Sequence, residues 1–323
     1  KGIDASDNSS PKIFNSTFTN IESFIIKINS DYIDSNIVNN SVTDTSNTYI
    51  DVVARDLTES GRTYDWLNAG VPYRLDNSLS IAENDNNNNP PVLKIEEGAV
   101  VQFYEGKTIN IGLSNNDVNR TGKLEAKGAI FTVVDTTKRW GGIDIRAGAR
   151  DIVMDSLTVL HTDRAFEVWG DHKTIIKNST MRDASHGIWV HDAQRTSRMH
   201  NNTFDQITSY PVYITTLDLD STLYANTYTN IDSNNSYIYL HTGGVNRSYE
   251  AGSTYDWIKD NLPYRADDHL AFHERANNTN PPVLRIEEGT VVQFPGGKIL
   301  HIGKHDNSGN ETGKLEAKGA IFT

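Results

Sequence analysis

"AFEVWGD" (165–171), "GIWVHDA" (187–193), "PVYITTL" (211–217) and "YIYLHTG" (237–243) are four stretches built on one plan. Each sets apolar residues at alternate positions, the signature of a strand buried on one side only. The inward pairs are Phe166/Val168, Ile188/Val190, Val212/Ile214 and Ile238/Leu240, in steps of 22, 24 and 26 residues. The plan is already present in "FIIKINS" and "YIDVVAR", where Ile26/Ile28 and Ile50/Val52 lie 24 apart. A second strand keeps the same time: "DSLTVL", "KNSTMRD", "NNTFDQI" and "ANTYTNI" carry Val159, Met181, Phe204 and Tyr228 at the matching apolar place. Phe18 and Val42 continue that column towards the start.

Helices do not account for these segments, which are short, rich in β-branched residues and separated by Asn, Asp, Gly and Ser. A strand recurring every 22–26 residues fits the coils of a parallel β-helix. One such coil cannot bury its apolar face alone, so the stack is the folding unit. Three residues before the apolar place of the second strand stand Asn15, Asn39, Asn178 and Asn201, with Ser156 and Ala225 interrupting the series. An asparagine column of this kind is expected to hydrogen-bond the stacked turns.

A longer period overlies the short one. Thr63–Thr132 aligns without a gap on Thr254–Thr323 at an offset of 191, with 43 of 70 positions identical. "TGKLEAKGAIFT" recurs letter for letter at 121–132 and 312–323. Within this segment "VLKIEEGAVVQF", "KTINIG" and "GKLEAKGAIFTVV" read as short strands turned by Gly98 and Gly128, where a positive φ is expected. The stretch 63–91 is less regular, and a helical turn or loop packed by Trp66 and Tyr73 is expected to open it.

The pattern L-x-I-x-x-G-x-V-V-x-F, G-x-L-x-A-x-G-x-x-F-T and W-G-G-I, followed by G-I-x-V coils, resembles the right-handed parallel β-helix repeats of large secreted prokaryotic surface proteins. Their wider relatives are pectate-lyase-like folds. The resemblance covers nearly the whole chain and implies an all-β right-handed solenoid with irregular loop insertions. It is uninformative about activity, because this fold carries lyases, hydrolases, adhesins and stalks alike. The chain divides into coils at 1–62, a first long-repeat segment at 63–140, coils at 141–253 and a second long-repeat segment at 254–323. These form one continuous solenoid.

Composition narrows the classes of function. Acidic residues outnumber basic ones 42 to 30, for a net charge of −12, which argues against nucleic acid as a partner. Cysteine is absent, so disulfides and thiolate metal sites are excluded. No apolar run reaches the roughly 18 residues of a membrane helix. An acidic, Cys-free, Asn/Thr-rich chain suits the extracellular side of a cell surface. Ten Asn-x-Ser/Thr sequons, at Asn8, Asn15, Asn39, Asn119, Asn178, Asn201, Asn234, Asn246, Asn277 and Asn310, are candidates for glycosylation there.

For a polygalacturonase-like enzyme, the resemblance implies Asn-Thr-Asp, Asp-Asp, Gly-His-Gly and Arg-Ile-Lys motifs. Here His186-Gly187 lacks the preceding Gly, no Arg-Ile-Lys follows, and Asp267-Asp268 is the only acidic pair of that type. No catalytic couple is expected, and Glu167, His191 and Asp192 are the nearest candidates for one. No cofactor is expected either. Calcium is weighed at "DNNNN" (85–89, with Asp85, Asn87 and Asn89) and at "HDNSGNE" (305–311). Their repeat partners, "ANNTN" (276–280) and "SNNDVNR" (114–120), do not preserve the acidic pattern.

The outward positions are more informative. Glu167, Trp189, Tyr213 and Tyr239 fall in one column, and Trp169, His191, Thr215 and His241 in the next. Stacked strands lie about 4.8 Å apart, so an aromatic and imidazole strip is expected. It serves either cross-coil stacking or contact with a sugar chain or another protein copy. Finally, Gly2-Ile3-Asp4 matches Gly142-Ile143-Asp144. Head-to-tail continuation, through further repeats or further copies, is the expected assembly.

Overall fold

A computed structural model describes the chain except residues 1, 8–9, 35–36, 39, 44–47, 85–88, 114–119, 171–172, 192–196, 243–248, 275–279 and 307–308, and gives the backbone alone at 38, 304–306 and 309–311. The protein is a parallel β-solenoid of about 11 turns. Every strand pairing but one hairpin (Lys304–Asp306 with Gly309–Glu311) is parallel among the described residues.

A full turn carries three strands on three faces. Face 1 runs through Thr63–Trp66, Val92–Ile95, Lys123–Glu125, Ile152–Asp155, Thr174–Lys177, Arg198–His200 and Leu223–Tyr224. It resumes at Thr254–Trp257. Faces 2 and 3 follow in each turn, as Val100–Phe103 then Thr108–Ile111, or Ile130–Val133 then Gly142–Ile145. In two turns they fuse into single bent strands, Thr158–Val168 and Thr180–Val190. The 22–26-residue period holds in these regular turns. The long-repeat turns are longer, with Thr63 pairing to Val92 and Val92 to Lys123, 29 and 31 residues on.

The alternation read from the sequence is the core. Ile26, Ile28, Ile50, Val52, Phe166, Val168, Ile188, Val190, Val212, Ile214, Ile238 and Leu240 all have 0% exposure. Val159, Met181 and Phe204 join them, while Tyr228 is only partly buried against the same cluster. One contiguous apolar cluster runs from Ile13 to Val292, as a stack with no lone turn requires.

Two details differ from expectation. Thr63–Trp66 is a strand rather than a helical turn, because its backbone is captured by Val92–Ile95; Trp66 and Tyr73 do pack beneath it, ring centroids 5.3 Å apart. The asparagine column is also displaced by one residue. Asn15, Asn178 and Asn201, with Ser156 and Ala225, are the corner residues themselves, at φ of 50–59°, a left-handed conformation that Asn tolerates better than most. The residues that follow them make the ladder. Asn40 Oδ1 accepts from Ser16 N, Asn202 Oδ1 from Ser179 N and Asn226 Oδ1 from Asn202 N, while Asn202 Nδ2 donates to Ile176 O. Asn39 lies outside the described residues. Gly98 and Gly128 take the positive φ expected of them, 78° and 71°.

What the long repeat builds is a sideways step. Tyr264–Ala266 stands where a face 2 strand belongs, yet it pairs with the face 3 strand below, Ile238–His241. Tyr73–Leu75 likewise pairs with Tyr49–Val53, where Ile50 faces Tyr73 as Ile238 faces Tyr264 one unit later. The old face 2 column stops at Thr227–Thr229. Its edge is closed by Asp260, which accepts from Asn226 N, Asn226 Nδ2 and Tyr228 Oη. A fresh face 3 then begins at Leu79–Ile81, seated on Leu57, and at Leu270–Phe272.

Candidate contact surface

Face 3 of the regular turns points its outward side chains into a grid. Register pairs Asn110 with Asp144, Asp144 with Glu167, Glu167 with Trp189, Trp189 with Tyr213 and Tyr213 with Tyr239. Tyr239 pairs in turn with Arg265, across the sideways step. The expected aromatic column therefore exists, and its rings lie parallel. Trp189 and Tyr213 stack at 4.1 Å and 15°, Tyr213 and Tyr239 at 5.0 Å and 13°. Rings stacked along the solenoid axis occupy one another's faces and turn their edges outwards.

The neighbouring column is less continuous than expected. His191 stacks on Trp169 at 3.4 Å, and His241 lies 5.8 Å from Tyr213. Thr215 between them is buried, because its hydroxyl turns to Asp218 Oδ2. On the other flank the structure adds a rank that the sequence reading missed. His186 meets Trp189 edge-on at 4.8 Å, Tyr210 lies 4.6 Å from Tyr239, and Tyr237 lies 5.6 Å from Tyr210. Positions 186, 210 and 237 keep nearly the same steps as 189, 213 and 239, which was the available signal.

Charged groups close both ends of the band. Arg164 lies over Trp189 at 4.9 Å and donates to Glu167 Oε2, while His191 Nε2 contacts Glu167 Oε1 at 2.8 Å. Burial pushes the Glu167 carboxyl up, but these hydrogen bonds and the Arg164 charge outweigh it, and the net shift is downwards. Asp144, paired with Arg146 at 2.7 Å, is displaced upwards because burial dominates. At the far end Asp267 takes His241 Nδ1, Thr242 N and Thr242 Oγ1. Its carboxyl too ends below its ordinary value, these hydrogen bonds overriding the effect of burial.

Register brings Asp144 and Glu167, 23 residues apart in the chain, side by side on adjacent turns. Both oxygens of Glu167 are engaged. Asp144 Oδ1 is buried with no hydrogen-bond partner among the described residues. Asp192 lies outside the described residues. Of the Asp-Asp pair, Asp268 is held by Lys298 at 2.7 Å and stands apart from the band.

Among the sequons, Asn15, Asn178, Asn201 and Asn234 are exposed. Asn178 Nδ2 donates to Asp155. Asn8, Asn39, Asn119, Asn246 and Asn277 lie outside the described residues, as does the side chain of Asn310. The calcium candidates Asp85 and Asn87 and the side chains of 305–311 also fall outside them. Among the described residues no three His, Cys, Asp or Glu gather as a metal site would require, and no helix is long and apolar enough to cross a membrane. Compared with family models, with curated proteins and with solved structures, the chain matches none.

Proposed function

We propose that this chain is a structural element of a cell surface, a stalk, filament or surface-layer component of adhesive type whose working property is length. The observation that carries the reading is the sideways step. After 191 residues and seven face 1 strands the stack returns to the geometry from which it began. A unit that regenerates its own seat can be added without redesign, so duplication lengthens the rod directly. The same geometry supports head-to-tail continuation through further repeats or copies. Gly2 and Gly142 support the equivalence proposed for the two coil starts. A Cβ at either would fall within 1.7 Å of a carbonyl oxygen on the next turn, Ile25 or Arg164.

The acidic, Cys-free composition and the exposed sequons support an extracellular setting. Electron microscopy of the native material tests the proposal: thin fibres or a surface lattice carrying this chain support it, and a dispersed intracellular monomer defeats it.

A hydrolase is the competing reading, and the Asp144–Glu167 neighbours are what favour it. The pairing chemistry weighs against it. Both oxygens of Glu167 already hold a charged or imidazole partner, and the one unpaired oxygen of Asp144 is buried. A general acid/base couple needs both groups within reach of the substrate.

A further inference from the structure

The aromatic band leaves one ring in a different situation from the rest. Trp189, Tyr213 and Tyr239 are face-stacked with one another along the solenoid axis, with Arg164 over Trp189. Trp169 is 39% exposed, and His191 provides its only ring contact among the described residues. It lies at the edge of a two-column patch. One turn supplies Asp144 and Arg146, the next Glu167 and Trp169, the next Trp189 and His191. The pairings of Asp144 with Glu167, Ile145 with Val168 and Glu167 with Trp189 fix this order. Trp169 N donates to Ile145 O at 2.7 Å, which carries the parallel register one residue past Val168 and sets Trp169 on the turn next to Arg146.

We propose that Trp169 and the charged row beside it form a binding subsite for a neutral, β-linked glucan. The chemistry has two parts. An indole with one face supported by an imidazole offers the other to the axial C–H groups of a pyranose ring. Equatorial hydroxyls, lying in the plane of that sugar, need donors and acceptors at the ring's margin. Arg146 supplies donors on one side and the Asp144 Oδ2 that it holds supplies an acceptor, backed by Asn110, whose Oδ1 accepts from Arg146 at 3.0 Å.

Charge decides between neutral and acidic sugars. Each carboxylate already has its own guanidinium, Asp144 with Arg146 and Glu167 with Arg164. No cation of the row is left over for a uronate, and an added anion would meet two carboxylates. The subsite thus discriminates against polyanions by repulsion as well as by fit. It requires no chemistry at the glycosidic bond, and it would give a stalk a point of attachment to a glucan-coated surface.

Calorimetric titration of the whole protein with cellohexaose, and separately with hexagalacturonate, is the test. Saturable binding of cellohexaose and none of hexagalacturonate is expected. Trp169→Ala should weaken cellohexaose at least about tenfold, or about 1.4 kcal/mol, and Trp169→Phe should recover part of the loss. Tyr104→Ala, which removes another ring that is 43% exposed, should leave affinity unchanged. A native protein that does not bind cellohexaose overturns the proposal. So does a Trp169→Ala protein with native β-sheet signal and native affinity, or equal binding of hexagalacturonate.

Discussion

The regular turns between 141 and 253 and the long-repeat segments on either side make the same solenoid by different means. Regular turns pivot on left-handed Asn, Ser or Ala corners and are sewn together inside by the Ser179–Asn202–Asn226 ladder. Long-repeat turns pivot on glycines and carry outward charge ladders, Asp65–Lys94–Glu125 and Asp256–Arg285–Glu316. They are filled instead by large buried rings: Trp66 over Tyr73, Trp257 over Tyr264, and Tyr249, Tyr255 and Phe272 in mutual contact. The difference follows from what each region must do. A turn stacked on a like turn can reuse one polar ladder indefinitely. A turn that crosses to a neighbouring face leaves the ladder behind and must cover an exposed strand edge and a widened interior.

Breaking the step should cost most. Trp257→Ala removes a ring of 1% exposure from the second step, and a loss of about 3–5 kcal/mol is expected by denaturant unfolding. Breaking the regular turns should cost less but reveal the displaced ladder. Asn202→Ala strands Ser179 N and Ile176 O in the interior, for an expected loss of about 2–3 kcal/mol. Asn201→Gly, at the corner with φ of 56°, should be near neutral or slightly favourable, since glycine meets no penalty there. Equal losses at 201 and 202 would contradict the assignment of corner and ladder.

Acid should act on the regular turns in a gentler way. Glu167 titrates below its ordinary value of 4.5 in the folded state. Its stabilising contribution is therefore complete above 4.5 and fades as pH falls through the folded value. Glu167→Gln should be less stable than the native chain at pH 7, and the gap should narrow on acidification below 4.5. A gap independent of pH would mean that the His191 and Arg164 pairing carries no weight. The smallest effect belongs to the outward charges. Arg285→Ala breaks two exposed ion pairs, at 3.1 and 3.3 Å, and should change stability by less than about 1 kcal/mol.

Much of this was legible in the sequence, and the reasons for the rest are specific. Period-2 alternation named Phe166, Ile188, Val212 and Ile238 as interior without any structural help, because burial on one face leaves a mark that survives in a single chain. The outward column of Trp189, Tyr213 and Tyr239 followed from the same arithmetic. The step did not follow. Tyr264–Ala266 is equally apolar whether it lands on Thr227–Thr229 or on Ile238–His241, so alternation cannot say which strand it covers. The ladder was misplaced by one residue because "NN" at 201–202 and 39–40 offers two asparagines, and only backbone φ tells corner from interior. Asp144 and Glu167 did not stand out as a pair because register, not sequence distance, makes them neighbours.

The central claim is that each added 191-residue unit lengthens the rod along its axis, and solution scattering on chains differing by one such unit tests it most directly. Seven turns at about 4.8 Å each predict an increase of roughly 34 Å in maximum dimension, at constant cross-section. An unchanged length with a doubled cross-section would mean that successive units fold back side by side, and the account of the step would be wrong.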